Sequence, residues 1–210
     1  MKKITIIDYG CGNILNLVRA LKFLGYETKI THEKEAIVSS SHVILPGVGS
    51  FKTAMQQIKK YDLKNTISEY ANSKKPLLGI CLGMQILLTK GYEFGSHEGL
   101  GLIEGEVIKI SNKKNSEIKI PHMGWNEIYP RDKEQWKSKI LRNIPEGKNF
   151  YFVHSYICST KNPNSIIAVS NYSDIIIPAI ISTDNIFACQ FHPEKSSENG
   201  LNILKNFCEI

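Results

Sequence analysis

The residue best placed to do chemistry is Cys81, which stands in the pattern Gly79-Ile80-Cys81-Leu82-Gly83. The apolar run 76–80 predicts a buried strand, and 82–88 predicts a helix, so the cysteine falls on a sharp strand-to-helix turn. Glycines on both sides let the backbone crowd that turn. This is the pattern of a nucleophile elbow, with a thiol in place of the usual hydroxyl.

The predicted helix supplies a chemical environment for the sulfur. Its free N–H groups and positive dipole end point toward Cys81, which favours the thiolate. The N–H of Leu82 is placed to stabilise a developing oxyanion. The alternative is a buried structural cysteine after a buried strand, because short glycine patterns also arise by chance.

A candidate base for this nucleophile lies near the other end of the sequence, in Gln190-Phe191-His192-Pro193-Glu194. In extended backbone, residues i and i+2 project from one face, so His192 and Glu194 point together. A carboxylate that accepts from the imidazole ring would fix its tautomer. The alternative is a surface ion pair, but its coincidence with an elbow favours catalysis. His154 is the rival base and has no nearby carboxylate in sequence.

Two glycine-rich loops follow predicted strands. The loop Pro46-Gly47-Val48-Gly49 can turn a peptide N–H toward the elbow, so it is a candidate second oxyanion donor. The loop Gly10-Cys11-Gly12-Asn13 resembles a truncated dinucleotide fingerprint. It lacks the third glycine and a convincing acidic ribose partner, so we do not expect nucleotide binding there.

Composition describes an ordinary soluble chain of 210 residues, 42% hydrophobic and 22% charged, which suits one domain over 1–210. The net charge of +6 comes without an arginine-rich stripe, so we expect no nucleic-acid partner. No run predicts a membrane span or a signal peptide, and we expect the cytoplasm. The five cysteines are irregularly spaced, which argues against disulfides and zinc. No metal or cofactor is expected.

Strands and helices alternate through the first third of the chain, which indicates parallel βαβ units in a doubly wound α/β sheet. The second half predicts short strands with polar turns, so we expect antiparallel additions to a mixed, mostly parallel sheet. The predicted strands are 4–8, 26–31, 42–45, 76–80, 106–110, 117–120, 126–129, 149–156, 165–170, 175–182 and 186–191. The predicted helices are 13–25, 51–72, 82–88, 133–139 and 200–207.

Together these segments resemble the class I (triad) glutamine amidotransferases, and within them the glutaminase subunits of imidazole glycerol phosphate synthases. The resemblance spans almost the whole chain and implies their flavodoxin-like three-layer fold. The segments that carry it are 7–13, 46–51, 79–85, Pro121-His122-Met123-Gly124-Trp125-Asn126, Tyr151-Phe152-Val153-His154-Ser155-Tyr156 and 191–196. The elbow and the His-Pro-Glu segment mark the superfamily, and the two segments written in full are more specific.

The resemblance implies a reaction and a set of roles. L-Glutamine is hydrolysed through a Cys81 thioester with His192 and Glu194, and ammonia passes to a (β/α)₈-barrel cyclase partner of histidine synthesis in a heterodimer. The residues that match the family's oxyanion and substrate-binding positions are Val48, Gly49, Leu82, Gln85, Glu93 and Ser155. The segments that face the partner contain Asn13, Trp125 and Tyr151.

One segment departs from this pattern, and other interpretations stay open. Residues 92–99 look like a paralogous branch that feeds ammonia to a related barrel enzyme amidating a surface-polysaccharide sugar. The triad is the same in both branches, so only the acceptor is affected. Two further alternatives are a non-catalytic partner-binding module and a stand-alone cysteine hydrolase.

Overall fold

The computed structural model describes residues 3–111, 118–132 and 136–210. These residues contain thirteen strands and six α-helices. In chain order they are β1 (Lys3–Ile7), α1 (Ile14–Phe23), β2 (Glu27–Thr31), α2 (Lys34–Val38), β3 (His42–Leu45), α3 (Phe51–Lys60), α4 (Leu63–Asn72), β4 (Leu77–Ile80), α5 (Leu82–Ile86), β5 (Leu88–Gly91), β6 (His97–Glu98), β7 (Ile103–Lys109), β8 (His122–Pro130), β9 (Lys148–His154), β10 (Tyr156–Thr160), β11 (Ile166–Tyr172), β12 (Ile175–Thr183), β13 (Ile186–Cys189) and α6 (Ser197–Cys208).

The main sheet has nine strands in the order β2-β1-β3-β4-β13-β12-β11-β8-β9. The first five are parallel, and β12, β11, β8 and β9 add antiparallel pairs. The predicted mixed, mostly parallel sheet with antiparallel additions is therefore confirmed. The late strand β13 lies in the middle of the sheet beside β4, so residues that follow both strands meet at one edge.

Helices cover both faces of this sheet, which gives three layers. One core cluster packs α1 and α6 against the sheet through residues such as Leu17, Leu21 and Phe207. The other packs α3 and α4 against the opposite face through Phe51 and Ile67. The buried Leu17 and Leu21 of α1 are four residues apart, which places them on one face of the helix.

A second sheet of four strands, in the order β10-β7-β5-β6, was not expected from the sequence. It packs on the α3 and α4 side, where Leu88, Val107 and Cys158 join the second core cluster. None of the helices among the described residues is long and apolar enough to cross a lipid bilayer.

Several predicted boundaries were wrong. The helix after Cys81 ends at Ile86, because residues 88–91 pair with β7 as β5. The predicted strand 149–156 is two strands that separate at Ser155 and join different sheets. Residues 118–120 form no strand, and α2 was missed. Residue 117 of one predicted strand and residues 133–135 of one predicted helix lie outside the described residues.

Candidate active site

The elbow at Cys81 has the strained backbone that its position requires. Cys81 has φ 53° and ψ −108°, a backbone conformation that residues other than glycine rarely adopt. Its N–H donates to the carbonyl oxygen of Cys189 at 2.8 Å, which ties the turn to β13. A Cβ on Gly83 would lie 1.8 Å from the carbonyl oxygen of Leu45, so only glycine allows α5 to pack this closely. The predicted elbow is thus present in the structure.

The sheet register delivers the candidate base to the same edge. Cys189 pairs with Ile80 at the ends of β13 and β4, so the residues that follow continue side by side. Nδ1 of His192 lies 2.9 Å from Oε1 of Glu194, and both side chains are almost completely buried. The structure therefore brings Cys81, His192 and Glu194 to one site.

The electrostatics of this site favour a charged imidazole. Burial by itself would lower the pKa of His192, but the Cys81 sulfur and the Glu194 carboxylate outweigh burial and raise that pKa above its ordinary value. Nε2 of His192 is buried and makes no hydrogen bond within the described residues, although the sulfur is near enough to act on the ring. That nitrogen is therefore available to form a hydrogen bond with the sulfur or with a substrate.

Two further groups contact the sulfur. The carbonyl oxygen of Val153 and Nε2 of Gln190 each lie 3.8 Å from Sγ of Cys81. Gln190 was not singled out from the sequence. Its sequence signal was its place two residues before His192, because residues i and i+2 of extended backbone share a face.

A cavity of about 310 Å³ opens over Cys81. The predicted catalytic and substrate residues that line it are Val48, Gly49, Cys81, Leu82, Gln85, Glu93, Ser155 and His192. Nε2 of Gln85 donates to the carbonyl oxygen of Tyr156 and to Oε1 of Gln190, at 3.1 Å each. Oε2 of Glu93 accepts from the N–H of Phe51 at 2.7 Å, where α3 begins. These contacts fix two side chains at the wall of the cavity.

The predicted oxyanion donor is engaged elsewhere in this structure. The N–H of Leu82 donates to the carbonyl oxygen of Gly47 at 3.3 Å. The preceding carbonyl, that of Pro46, accepts from the hydroxyl of Tyr9 at 2.7 Å. Gly49 has φ +102°, a conformation that favours glycine. The loop 46–49 therefore rests with a carbonyl, rather than an N–H, at the elbow.

His154, the rival base, has both ring nitrogens occupied. Nδ1 lies 2.9 Å from the carbonyl oxygen of Tyr156, and Nε2 lies 2.9 Å from Nδ1 of His122. Burial lowers the pKa of His154 to about 3, and the neighbouring His122 and His192 add to that effect. A neutral ring with no free nitrogen makes a cavity wall rather than a base.

The residues predicted to face a partner lie close to the catalytic pair. Trp125 is 52% exposed and meets Tyr151 edge-on across β8 and β9, with ring centroids 6.0 Å apart. The carbonyl oxygen of Tyr151 accepts from the backbone N–H of His192 at 2.9 Å. Asn13 precedes α1 and lines a small crevice with His192 and Glu194. All three therefore surround the same end of the molecule.

A larger open groove of about 650 Å³ runs between α3 and β6. Its walls carry Lys52, Lys59 and Lys64 but none of the three triad residues. The smaller cavity is the candidate active site, because Cys81 and His192, the predicted nucleophile and base, both line it.

Comparison with known proteins agrees with this fold and places the chain in a family. The family model for "Glutamine amidotransferase class-I" matches residues 5–210, so the chain belongs to the class I glutamine amidotransferases. A solved structure described as a glutamine amidotransferase superposes with a TM-score of 0.72 at 18% identity, covering 98% of this chain and 97% of that one. A glutamine amidotransferase from Thermotoga maritima gives a TM-score of 0.62 at 17% identity, covering 99% and 81%. These two structures support the fold alone.

Relatives of higher identity place the chain more narrowly. It is 43% identical to imidazole glycerol phosphate synthase subunit HisH 1 of Legionella pneumophila (strain Lens), over 100% of both chains. It is 45% identical to the HisH subunit of Lactococcus lactis, over 100% of this chain and 99% of that one. Within its class, the protein is thus a member of the HisH family, the glutaminase subunits of imidazole glycerol phosphate synthase in histidine biosynthesis.

Proposed function

We propose that Cys81 carries out the glutaminase reaction as a covalent nucleophile. The observation that carries this proposal is the buried His192–Glu194 pair, 2.9 Å apart, whose histidine lines the same cavity as the elbow cysteine. The Cys81 thiolate attacks the side-chain amide carbon of L-glutamine, and the carbonyl oxygen becomes an oxyanion. His192 gives its proton to the amide nitrogen, the C–N bond breaks, and ammonia leaves.

The second half of the reaction regenerates the thiolate. Neutral His192 takes a proton from water as that water attacks the γ-glutamyl thioester. The C–S bond then breaks, glutamate leaves, and the sulfur departs as thiolate beside the imidazolium. Glu194 accepts a hydrogen bond from Nδ1 in both halves, which holds the ring so that Nε2 faces the sulfur.

The cavity wall matches the polar groups of free glutamine. Both hydrogens of Gln85 Nε2 are used within the protein, so Oε1 is left to accept from an N–H of the substrate. Glu93 keeps Oε1 for the substrate's α-ammonium group, because its Oε2 is bound to Phe51. Ser155 adds a hydroxyl at the same wall. In this proposal these three side chains select an amino acid over a simple amide.

The oxyanion is stabilised by the N–H of Leu82 together with the loop at Val48 and Gly49. In the resting structure Leu82 donates to Gly47, so the loop must turn before that N–H is free. Binding of a partner next to Asn13, Trp125 and Tyr151 supplies the trigger in this proposal, and ammonia then leaves toward the partner.

The partner is a (β/α)₈-barrel cyclase subunit, which forms a heterodimer with this chain. It adds ammonia to a phosphoribulosyl formimino intermediate and releases imidazole glycerol phosphate and an aminoimidazole carboxamide ribotide. The existence of a partner is supported by the relatives described above, each of which is named as a subunit of imidazole glycerol phosphate synthase.

The test measures glutamate release by the chain alone and with a histidine-pathway barrel subunit plus its ligand. We expect little activity alone and strong stimulation by the partner. The variant Cys81→Ser should abolish the stimulated activity, and Cys11→Ser is the matched control. Full activity without a partner would support a stand-alone hydrolase. Stimulation only by a sugar-pathway barrel would mean that the acceptor of the ammonia is a sugar. Function that survives Cys81→Ser would indicate a non-catalytic partner-binding module.

A further inference from the structure

A buried pair of glutamine side chains connects the backbone to the nucleophile. Nε2 of Gln85 lies 3.1 Å from the carbonyl oxygen of Tyr156 and 3.1 Å from Oε1 of Gln190. Nε2 of Gln190 in turn lies 3.8 Å from Sγ of Cys81. Gln190 has no exposed surface, and Gln85 is only 5% exposed. Water therefore does not compete for these hydrogen bonds.

The carbonyl oxygen of Tyr156 sets which group donates in each hydrogen bond of this series. A carbonyl oxygen only accepts, so the Gln85 atom that faces Tyr156 must be its NH₂ group. That group also faces Gln190, so the Gln190 atom opposite it must be the carbonyl oxygen. The remaining end of Gln190 is then its NH₂ group, which faces the sulfur. Each amide is thereby held in one of its two orientations.

The sulfur lies between a donor and an acceptor. The carbonyl oxygen of Val153, 3.8 Å from Sγ, can accept from a thiol S–H but repels a thiolate. The amide N–H of Gln190 donates best to a thiolate, because hydrogen bonds to charged groups are the stronger ones. His192, with Glu194 behind it, also faces the sulfur and favours the thiolate when its ring is charged, so the Gln190 N–H adds to that stabilisation.

We propose that Gln190 stabilises the thiolate of Cys81 and that Gln85 is the positioning residue that turns the Gln190 amide toward the sulfur. This inference rests on the proposed role of Cys81 as the nucleophile. It gives Gln85 a second task besides contact with substrate, and it places Gln190 in direct contact with a reacting atom.

The experiment follows alkylation of Cys81 by iodoacetamide from pH 5 to pH 10 with peptide mass spectrometry. It compares the wild-type chain with Gln190→Met, which keeps the side-chain length and removes the donor. We expect Cys81 to be alkylated about tenfold more slowly at the acid end of this range, because the thiolate loses a charge-assisted hydrogen bond. Gln85→Met should move the profile in the same direction by a smaller amount.

Two controls separate this effect from general damage. Cys11 is partly exposed and should give the same alkylation profile in every variant. Asn185→Leu removes a partly buried amide donor that serves Ala71 and Lys75 at the far end of β13, and it should leave the Cys81 profile unchanged. If Gln190→Met does not fold, Gln85→Met carries the test.

A folded Gln190→Met or Gln85→Met variant whose Cys81 profile superimposes on that of wild type would overturn the inference. Alkylation needs neither glutamine nor a partner, so this result is independent of the glutaminase assay. Failure of the proposed function would instead appear as activity that survives Cys81→Ser.

Discussion

The backbone N–H of Leu82 donates to the carbonyl oxygen of Gly47, 3.3 Å away, in the resting structure. That N–H is the group the elbow would offer to an oxyanion. Its partner is a loop carbonyl, and the hydroxyl of Tyr9 holds the preceding carbonyl of Pro46. The cavity, the Cys81 sulfur and the His192–Glu194 pair are already in place, so in the proposed reaction the missing part belongs to the transition state rather than to substrate binding.

We therefore predict that a stimulating partner acts mainly on kcat. An oxyanion donor strengthens its bond only as charge develops, and one such donor is typically worth about 100-fold in kcat. Steady-state glutaminase assays with and without the partner should show kcat rising by at least about that factor, with a small change in KM. Stimulation that arises mainly from a lower KM would contradict this assignment.

The variant Glu194→Gln should reduce partner-stimulated kcat by about 100-fold or more, because the ring loses the carboxylate that orients and charges it. The pH profile gives the sharper test. Glu194 raises the pKa of His192, so its removal lowers that pKa and moves the alkaline limb of the kcat profile to lower pH. Glu198→Gln, on the first turn of α6, is the control. An alkaline limb that stays in place would argue against the pairing.

His154 should make the fold sensitive to acid. The pKa of His154 in the folded protein, about 3, lies below its value in the unfolded chain. The stability that this difference contributes is fully present above about pH 6.5 and is lost as pH falls toward 3. Urea unfolding between pH 7 and pH 4 should show a smaller pH slope for His154→Gln, by up to about 1.4 kcal/mol per pH unit. The exposed His32→Gln is the control, and equal slopes for His154→Gln and wild type would contradict the prediction.

Gly83→Ala should destabilise the fold by about 3 kcal/mol, because its Cβ would lie 1.8 Å from the carbonyl oxygen of Leu45. Gly12→Ala is the matched control, since its Cβ meets only side-chain atoms, at 3.4 Å and beyond. Chemical denaturation of both variants measures the difference. A Gly83→Ala protein as stable as the control would mean that α5 can move away from β3 at little cost.

Trp125→Ala should weaken binding of the proposed barrel partner by roughly 30-fold, because large, partly exposed aromatic residues often dominate protein interfaces. Ile30→Ala is the control: Ile30 is 44% exposed but lies on β2, at the opposite edge of the main sheet. Titration calorimetry with the partner gives both affinities. Equal losses in the two variants would remove Trp125 from the interface.

Local patterns in the sequence were enough to predict the sharp turn at Cys81 and the pairing of His192 with Glu194. The glycines beside Cys81 indicate a tight turn. The spacing of His192 and Glu194 indicates that both side chains project from the same face of an extended backbone. Both signals lie within a few residues of the side chains they describe. The alternation of strands and helices likewise predicted the parallel half of the sheet.

Contacts between distant segments were not predictable in this way. Gln190 reaches Cys81 only because β13 inserts beside β4, and no local pattern states that register. Leu88 is apolar in either a helix or a strand, so pairing with β7 decided its structure. The strands separate at Ser155 because β9 pairs with β8 in the main sheet, whereas β10 pairs with β7 in the second sheet.

The central place of β13 has a consequence for the order of synthesis. A ribosome releases β4 and its cysteine long before β13, yet the histidine and its carboxylate arrive only after β13. Until that last strand enters the sheet, the thiol has neither its base nor the amide of Gln190. In the proposed reaction, an incomplete chain therefore carries the thiol without the base that would activate it, and we expect it to release no glutamate from glutamine.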